Sequence, residues 1–94
     1  MIQSFKDVRA QKLLLGQRVV VLVNIEVQAR TRLIRLDSAT SLEDLRALRG
    51  NRLEALIGSR KGQFSIRIND QYRICFKWKA TDKGPTDVEI TDYH

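Results

Sequence analysis

The last three residues, Asp92, Tyr93 and His94, bring together a carboxylate, a phenol and the chain's only histidine. Histidine changes charge near neutral pH, and an acid or a phenol beside it can also move protons. The preceding stretch, Val88-Glu89-Ile90-Thr91, alternates apolar with polar residues and predicts a strand. A chain that ends on a strand has its tail tied down rather than fraying. Each residue also has a plainer reading. A lone histidine makes no metal site and is often merely exposed. Asp92 also reads as a polar strand end, and Tyr93 as a packed ring with its hydroxyl in water.

Charge narrows the substrate. Lys and Arg number 17 against 11 Asp and Glu, giving a formal charge of +6 in 94 residues. Such a balance favours a polyanionic partner: nucleic acid, an acidic protein or an anionic membrane. The length predicts one domain with a thin but adequate core. Cys75 is the only cysteine, so an internal disulfide and a cysteine-based zinc site are both excluded, which fits a reducing compartment. The opening Met1-Ile2-Gln3-Ser4-Phe5-Lys6 lacks a secretory signal's apolar core. The longest apolar run, Val19 to Val23, is too short to span a bilayer. The expected location is the cytoplasm, with no membrane partner.

The elements that must position the terminal residues fall into two halves. Met1 to Phe5 reads as a short edge strand. Val8 and Leu15, seven apart, suit a helix stopped at Gly16. Val19 to Val23 is β-branched and reads locally as a strand, although Asn24 resembles an N-cap for a helix starting at Ile25. That helix, Ile25 to Asp37, carries Ile25, Ala29, Leu33 and Leu36 on one stripe, with Arg30 and Arg35 off it and solvated. Ser41-Leu42-Glu43-Asp44 resembles a capping box and opens a short helix to Leu48. Then the pattern becomes period two. Arg52 to Ile57 reads as a short strand and Gly58 to Gly62 as a turn. Phe64, Ile66 and Ile68 alternate with polar residues, as do Tyr72, Ile74, Phe76 and Trp78. Thr81 to Pro85 is a turn, and Val88 to Tyr93 the last strand. Helices first and strands second predict an α+β fold: a small antiparallel sheet with two or three helices on one face and the other face free for a partner.

With Asn69-Asp70-Gln71 as the connecting loop, Ile66 pairs with Ile74 and Phe64 with Phe76 on the helix side. The same register sets Arg67 opposite Arg73, and Ser65 opposite Cys75. Two arginines directly across a ladder repel. A bound phosphate resolves the conflict, because guanidinium forks match phosphate geometry; acids from a neighbouring strand, Glu89 or Asp92, resolve it equally. Arg60 and Lys61 add charge at the turn, where composition alone reads them as solvated loop cations. RNA cleavage by an internal 2′-hydroxyl needs a base, a cation at the scissile phosphate and an acid for the leaving 5′-oxygen, and none of these requires a metal or cofactor. His94, Asp92 or Tyr93 can move protons, and Arg73 with Arg67 can stabilise the phosphorane-like charge. Acid and base are not assigned individually.

The segments Gly50-Asn51-Arg52-Leu53-Glu54-Ala55-Leu56, Arg60-Lys61-Gly62-Gln63, Ser65 through Phe76 and Asp87 through His94 resemble the HigB-type toxins of the RelE/ParE superfamily. The resemblance runs from Asn24 onward and is loose between Lys6 and Val23. It implies a ribosome-dependent endoribonuclease that cuts mRNA in the A site. It also implies neutralisation by a helix-turn-helix antitoxin through which alone the complex meets DNA. Carried over by position, Arg73 contacts the scissile phosphate, and Asp92, Tyr93 and His94 form the catalytic end. Many relatives have a phosphate-site lysine where this chain has Ile57; Arg60 or Lys61 is then the cation at the adjacent turn. That departure keeps a second reading open, a non-catalytic RNA- or ribosome-binding relative. A third, a related toxin aimed at gyrase, does not need an Asp-Tyr-His terminus.

Overall fold

The computed structural model describes residues 1–92; Tyr93 and His94, and with them two of the four catalytic candidates, lie outside the described residues. Three helices precede a four-stranded antiparallel sheet of order β1-β2-β3-β4. They are α1 (Val8–Leu14), α2 (Glu26–Ser38) and α3 (Leu42–Ala47), then β1 (Glu54–Ala55), β2 (Gln63–Arg67), β3 (Tyr72–Lys77) and β4 (Thr86–Asp92). This is the expected α+β arrangement. No helix among the described residues is long and apolar enough to cross a membrane.

The core forms where the helical stripe meets one sheet face. Ile25, Ala29, Leu33 and Leu36 are all buried, as the spacing predicts. They pack with Leu13, Leu45, Ile66, Ile74, Phe76, Val88 and Ile90. Phe64 and Phe76, paired across β2 and β3, stack with ring centroids 6.1 Å apart. The β2–β3 register is the predicted one, with Ile66 facing Ile74, Ser65 facing Cys75 and Arg67 facing Arg73. Its loop is set by Asn69, whose Oδ1 accepts from the backbone N–H groups of Gln71 and Tyr72. Such an Asx turn fixes loop length, and loop length fixes register.

Several local readings are corrected. Val19–Val23 is not a strand: Val20–Ile25 forms a 3-10 turn that buries Leu22 and Ile25 at a spacing of three and leaves Val20, Val21 and Val23 exposed. β-Propensity is a preference for a pleated, paired surface, and this segment pairs with no strand among the described residues. Asn24 lies within that turn, so α2 starts at Glu26 with Ile25 at its N-cap and no side-chain cap. Val8 and Leu15 are exposed; α1 turns Ala10 and Leu13 inward, because the face between Val8 and Leu15 carries Gln11 and Lys12. Helix α1 does end before Gly16, which takes φ +82°, a region glycine enters without strain. Helix α3 stops at Ala47, and Ser41 Oγ accepts from the Asp44 N–H as a capping residue. Arg30 and Arg35 are half-buried and engaged in hydrogen bonds. Arg30 Nε donates to the Leu13 carbonyl, tying α2 to the end of α1, and Arg35 donates to buried Asn51. The strand expected over Arg52–Ile57 shrinks to β1, since Arg52 adopts a left-handed conformation that no strand accommodates.

The expected edge strand at Met1–Phe5 is a single parallel bridge, Phe5 to Val88. Ser4 and Lys6 exchange backbone hydrogen bonds with Val88, and Gln3 N–H donates to the Pro85 carbonyl at 2.7 Å. Gly84 admits this approach: a Cβ there would lie 2.0 Å from the Met1 carbonyl oxygen. Beyond Phe5 a side chain takes over from the ladder. Asp7 caps α1 through the Arg9 N–H and accepts from the Ile90 N–H at 3.1 Å, while Arg9, paired with Asp7, donates to the Ile90 carbonyl. The pair satisfies both backbone groups of Ile90 on the open edge of β4.

Burial acts to raise the Asp7 pKa, but the Arg9 guanidinium and the Ile90 and Arg9 backbone N–H groups outweigh it and hold the carboxyl below its ordinary value of 3.8. A lowered folded value stabilises the fold above the unfolded value, and this stabilisation is lost as pH falls through the folded one. Asp7→Ala is expected to lower stability near neutral pH by about 2–4 kcal/mol, from a lost cap and lost charge-assisted bonds. Below the ordinary carboxylate range the variant and wild type should converge in urea midpoint. A constant gap across that range would contradict the clamp.

Candidate functional site

The face of the sheet away from the helices carries polar side chains in rows set by register. One row is Arg67, Arg73 and Thr91; the next is Glu54, Ser65, Cys75 and Glu89. Beyond it the β3–β4 ladder slips by one residue, so that Phe76 faces both Asp87 and Val88. Asp87 takes φ +51° at this bulge. Bulges of this kind re-aim a side chain beside a site.

Arg73 sits at the centre of this face and is only 7% exposed. Its Nε donates to Ser65 Oγ at 2.7 Å, and one terminal nitrogen donates to the Arg52 carbonyl at 2.7 Å and the Ser65 carbonyl at 3.4 Å. The other terminal nitrogen lies 3.8 Å from Glu54 Oε1. A guanidinium can be buried when its N–H groups have partners, and these fix its plane. The Arg52 carbonyl reaches it because Arg52 is left-handed, with φ 44° and ψ 57°. Asn51 holds the preceding turn: fully buried, it donates to the Leu45 carbonyl and accepts from Arg35. The Gly50-Asn51-Arg52 segment thus anchors one wall of the site to α2 and α3.

The other expected residues fall at different positions. Arg67 is directly across from Arg73, but its guanidinium pairs with Asp70 in the hairpin loop. Asp70 on Arg67 and Glu54 beside Arg73 relieve the like-charge conflict. Arg60, in a 3-10 turn over Gly58–Arg60, reaches back over the sheet to Gln63 Oε1 at 3.0 Å and Glu89 Oε2 at 3.5 Å. It is engaged rather than a free loop cation. Lys61 is exposed at the same turn, and Ile57 beside it is 87% exposed. Asp92 pairs in register with Tyr72 and accepts from Gln71 Nε2 at 3.0 Å. Alternation puts it on the side of the sheet opposite Arg73, at the sheet's end. Thr91, not Asp92, is the β4 residue that shares Arg73's face.

Three contributors were not singled out from the sequence. Glu54 is the carboxylate beside Arg73, Ser65 its hydroxyl partner, and Thr91 the residue facing it. Thr91 Oγ1 is buried and has no hydrogen-bond partner among the described residues. Predicted register had placed Ser65 opposite Cys75; that Ser65 also meets Arg73 on the diagonal follows from the same ladder. Glu54 had no such signal, since β1 is two residues long. Among the described residues no three His, Cys, Asp or Glu side chains gather as a metal ion requires.

The Arg52 conformation supplies a test of this wall. Arg52→Gly should keep stability within about 1 kcal/mol, because glycine accepts positive φ. Arg52→Val should lose about 2 kcal/mol, since β-branched residues resist that region. Chemical denaturation of the two variants checks both. Equal losses would contradict the left-handed turn.

A family model described as RelE-like toxin of type II toxin-antitoxin system HigB matches residues 4–94. Toxin HigB-1 of Vibrio cholerae serotype O1 is 54% identical over 43 residues, which cover 46% of this chain and 45% of that protein. The aligned stretch thus spans under half of the curated relative's length. The family match runs across all the elements that build the polar face around Arg73, and the chain belongs to the HigB-like family of RelE-like toxins of type II toxin–antitoxin systems.

Proposed function

We propose that this protein is a ribosome-dependent endoribonuclease that cuts mRNA in the A site. The observation that carries the reading is Arg73: a buried guanidinium, held by Ser65, Arg52 and Glu54 on an otherwise open polar face, in a chain of charge +6. A preorganised cation of this kind stabilises charge as it develops. The 2′-hydroxyl loses its proton to a base and attacks the adjacent phosphorus. The bond to the 5′-oxygen breaks, and an acid protonates that oxygen. The products are a 2′,3′-cyclic phosphate and a 5′-hydroxyl end.

Tyr93 and His94 supply proton transfer in this reading. Glu54, within 3.8 Å of Arg73 and half exposed, is a further carboxylate able to accept the hydroxyl proton. Arg67, Arg60 and Lys61 hold flanking phosphates. The partners are the ribosome, its message and a helix-turn-helix antitoxin that neutralises the toxin in the cytoplasm. Contact with DNA belongs to the antitoxin.

Ile57 favours a second reading. An exposed isoleucine neither donates a hydrogen bond nor carries charge at a position where the resemblance leads to lysine. A non-catalytic relative would bind RNA or ribosomes with steep salt dependence and create no new ends.

Induction in cells separates the two. Wild type should arrest growth and generate 5′-hydroxyl ends in message. Arg73→Ala and His94→Gln should abolish both effects, and Glu54→Gln should slow cleavage by about 10²-fold. Intact message under wild-type induction, with salt-sensitive ribosome binding retained, would support the binding reading.

A further inference from the structure

Next to the Arg73 row lies a cleft of about 350 Å³, lined by Lys6, Gln63, Lys77, Asp87 and Glu89. It starts two residues along the strands from Arg73, about 7 Å away, on the scale of one nucleotide. We propose that this cleft is a nucleobase subsite that takes guanine beside the scissile phosphate, an inference that rests on the ribonuclease reading for its place in the reaction.

The free hydrogen-bonding atoms argue for guanine. Lys6 and Arg60 both bind Glu89 through Oε2, at 3.4 and 3.5 Å, which leaves Oε1 as an acceptor among the described residues. Lys77 binds Asp87 through Oδ2 at 3.4 Å, and Oδ1 is left in the same way. Gln63 Oε1 accepts from Arg60, so the amide is oriented with its NH2 free to donate. The cleft therefore offers two carboxylate acceptors and one amide donor. The Watson–Crick edge of guanine carries the complement: N1–H and the 2-amino group as donors, and O6 as acceptor. Adenine, cytosine and uracil each present only one donor position on that edge. Asp87 and Glu89 offset Lys77 and Lys6, so a phosphate meets no net positive charge among the lining side chains. Bases of single-stranded RNA are commonly read on this edge.

Backbone strain points to the same place. Asp87 holds φ +51° at the bulge that turns it toward Lys77, and a strained non-glycine residue that lines a cleft is a candidate for function. Glu89 in turn gathers the N-terminal segment and the Gly58–Arg60 turn over the cleft, through Lys6 and Arg60.

The test is an NMR titration of the full chain with GMP, UMP and inorganic phosphate. GMP should shift the amides of Gln63, Lys77, Asp87 and Glu89 and bind about tenfold more tightly than UMP, with phosphate failing to reproduce the pattern. Asp87→Gly removes the carboxylate while relieving positive φ, and Gln63→Leu removes the donor. Each should bring the GMP preference down to about twofold or less. Equal binding of all three probes, or a preference unchanged in both variants, overturns the proposal. Arg73→Ala should keep the GMP preference while losing cleavage. A wild type that discriminates GMP but leaves message intact would remove the ribonuclease reading and support the subsite. Cleavage without GMP discrimination would do the reverse.

Discussion

The contact on which the rest of the structure depends is the one between Asp7, Arg9 and the backbone of Ile90. It joins the start of the first helix to the last strand and closes an edge of the sheet with side chains instead of a paired strand. A carboxylate that accepts a strand N–H and a guanidinium that donates to the same residue's carbonyl reproduce what a neighbouring strand would offer. With that edge fixed, Ile90 and Val88 face the helices and Glu89 and Thr91 face the open side. The β4 members of the polar rows, Glu89 and Thr91, take their place from this arrangement.

The open face is organised by saturation rather than by a concentration of bare cations. Most of its cations are held: Arg73 by a hydroxyl, two carbonyls and Glu54; Arg67 by Asp70; Arg60 and Lys6 by Glu89; Lys77 by Asp87. Holding a long cationic side chain in advance lowers the entropy lost when an anion arrives. The partly exposed acids then act as exchangeable partners, since a surface ion pair contributes little and yields easily to a better ligand.

Much of this architecture was legible in the sequence where local chemistry and burial agree. The Asn69-Asp70-Gln71 loop and two alternating runs fix the hairpin to the residue, and hence the Arg67–Arg73 pair. The Ile25, Ala29, Leu33 and Leu36 stripe defines α2 for the same reason. Failures occur where a distant partner decides the local conformation. Val19–Val23 has strand composition but pairs with no strand among the described residues. Arg52 is left-handed because its carbonyl serves Arg73 and its neighbour Asn51 is bound by two helices. The extra residue at Asp87 leaves no trace in the pattern of alternation. Arg60 reads as a loop cation until Glu89, 29 positions later, is seen beside it.

The bridge between Phe5 and Val88 has a bearing on how the molecule is made. During synthesis the amino-terminal segment emerges long before its binding strand, so the bonds of Gln3, Ser4, Lys6 and Asp7 to Pro85, Val88 and Ile90 wait until those residues have been made. Contacts of such large sequence separation form late and slowly. Assembly of this edge is thereby tied to synthesis of residues 86–92, and a product that stops before them cannot form the Phe5–Val88 bridge.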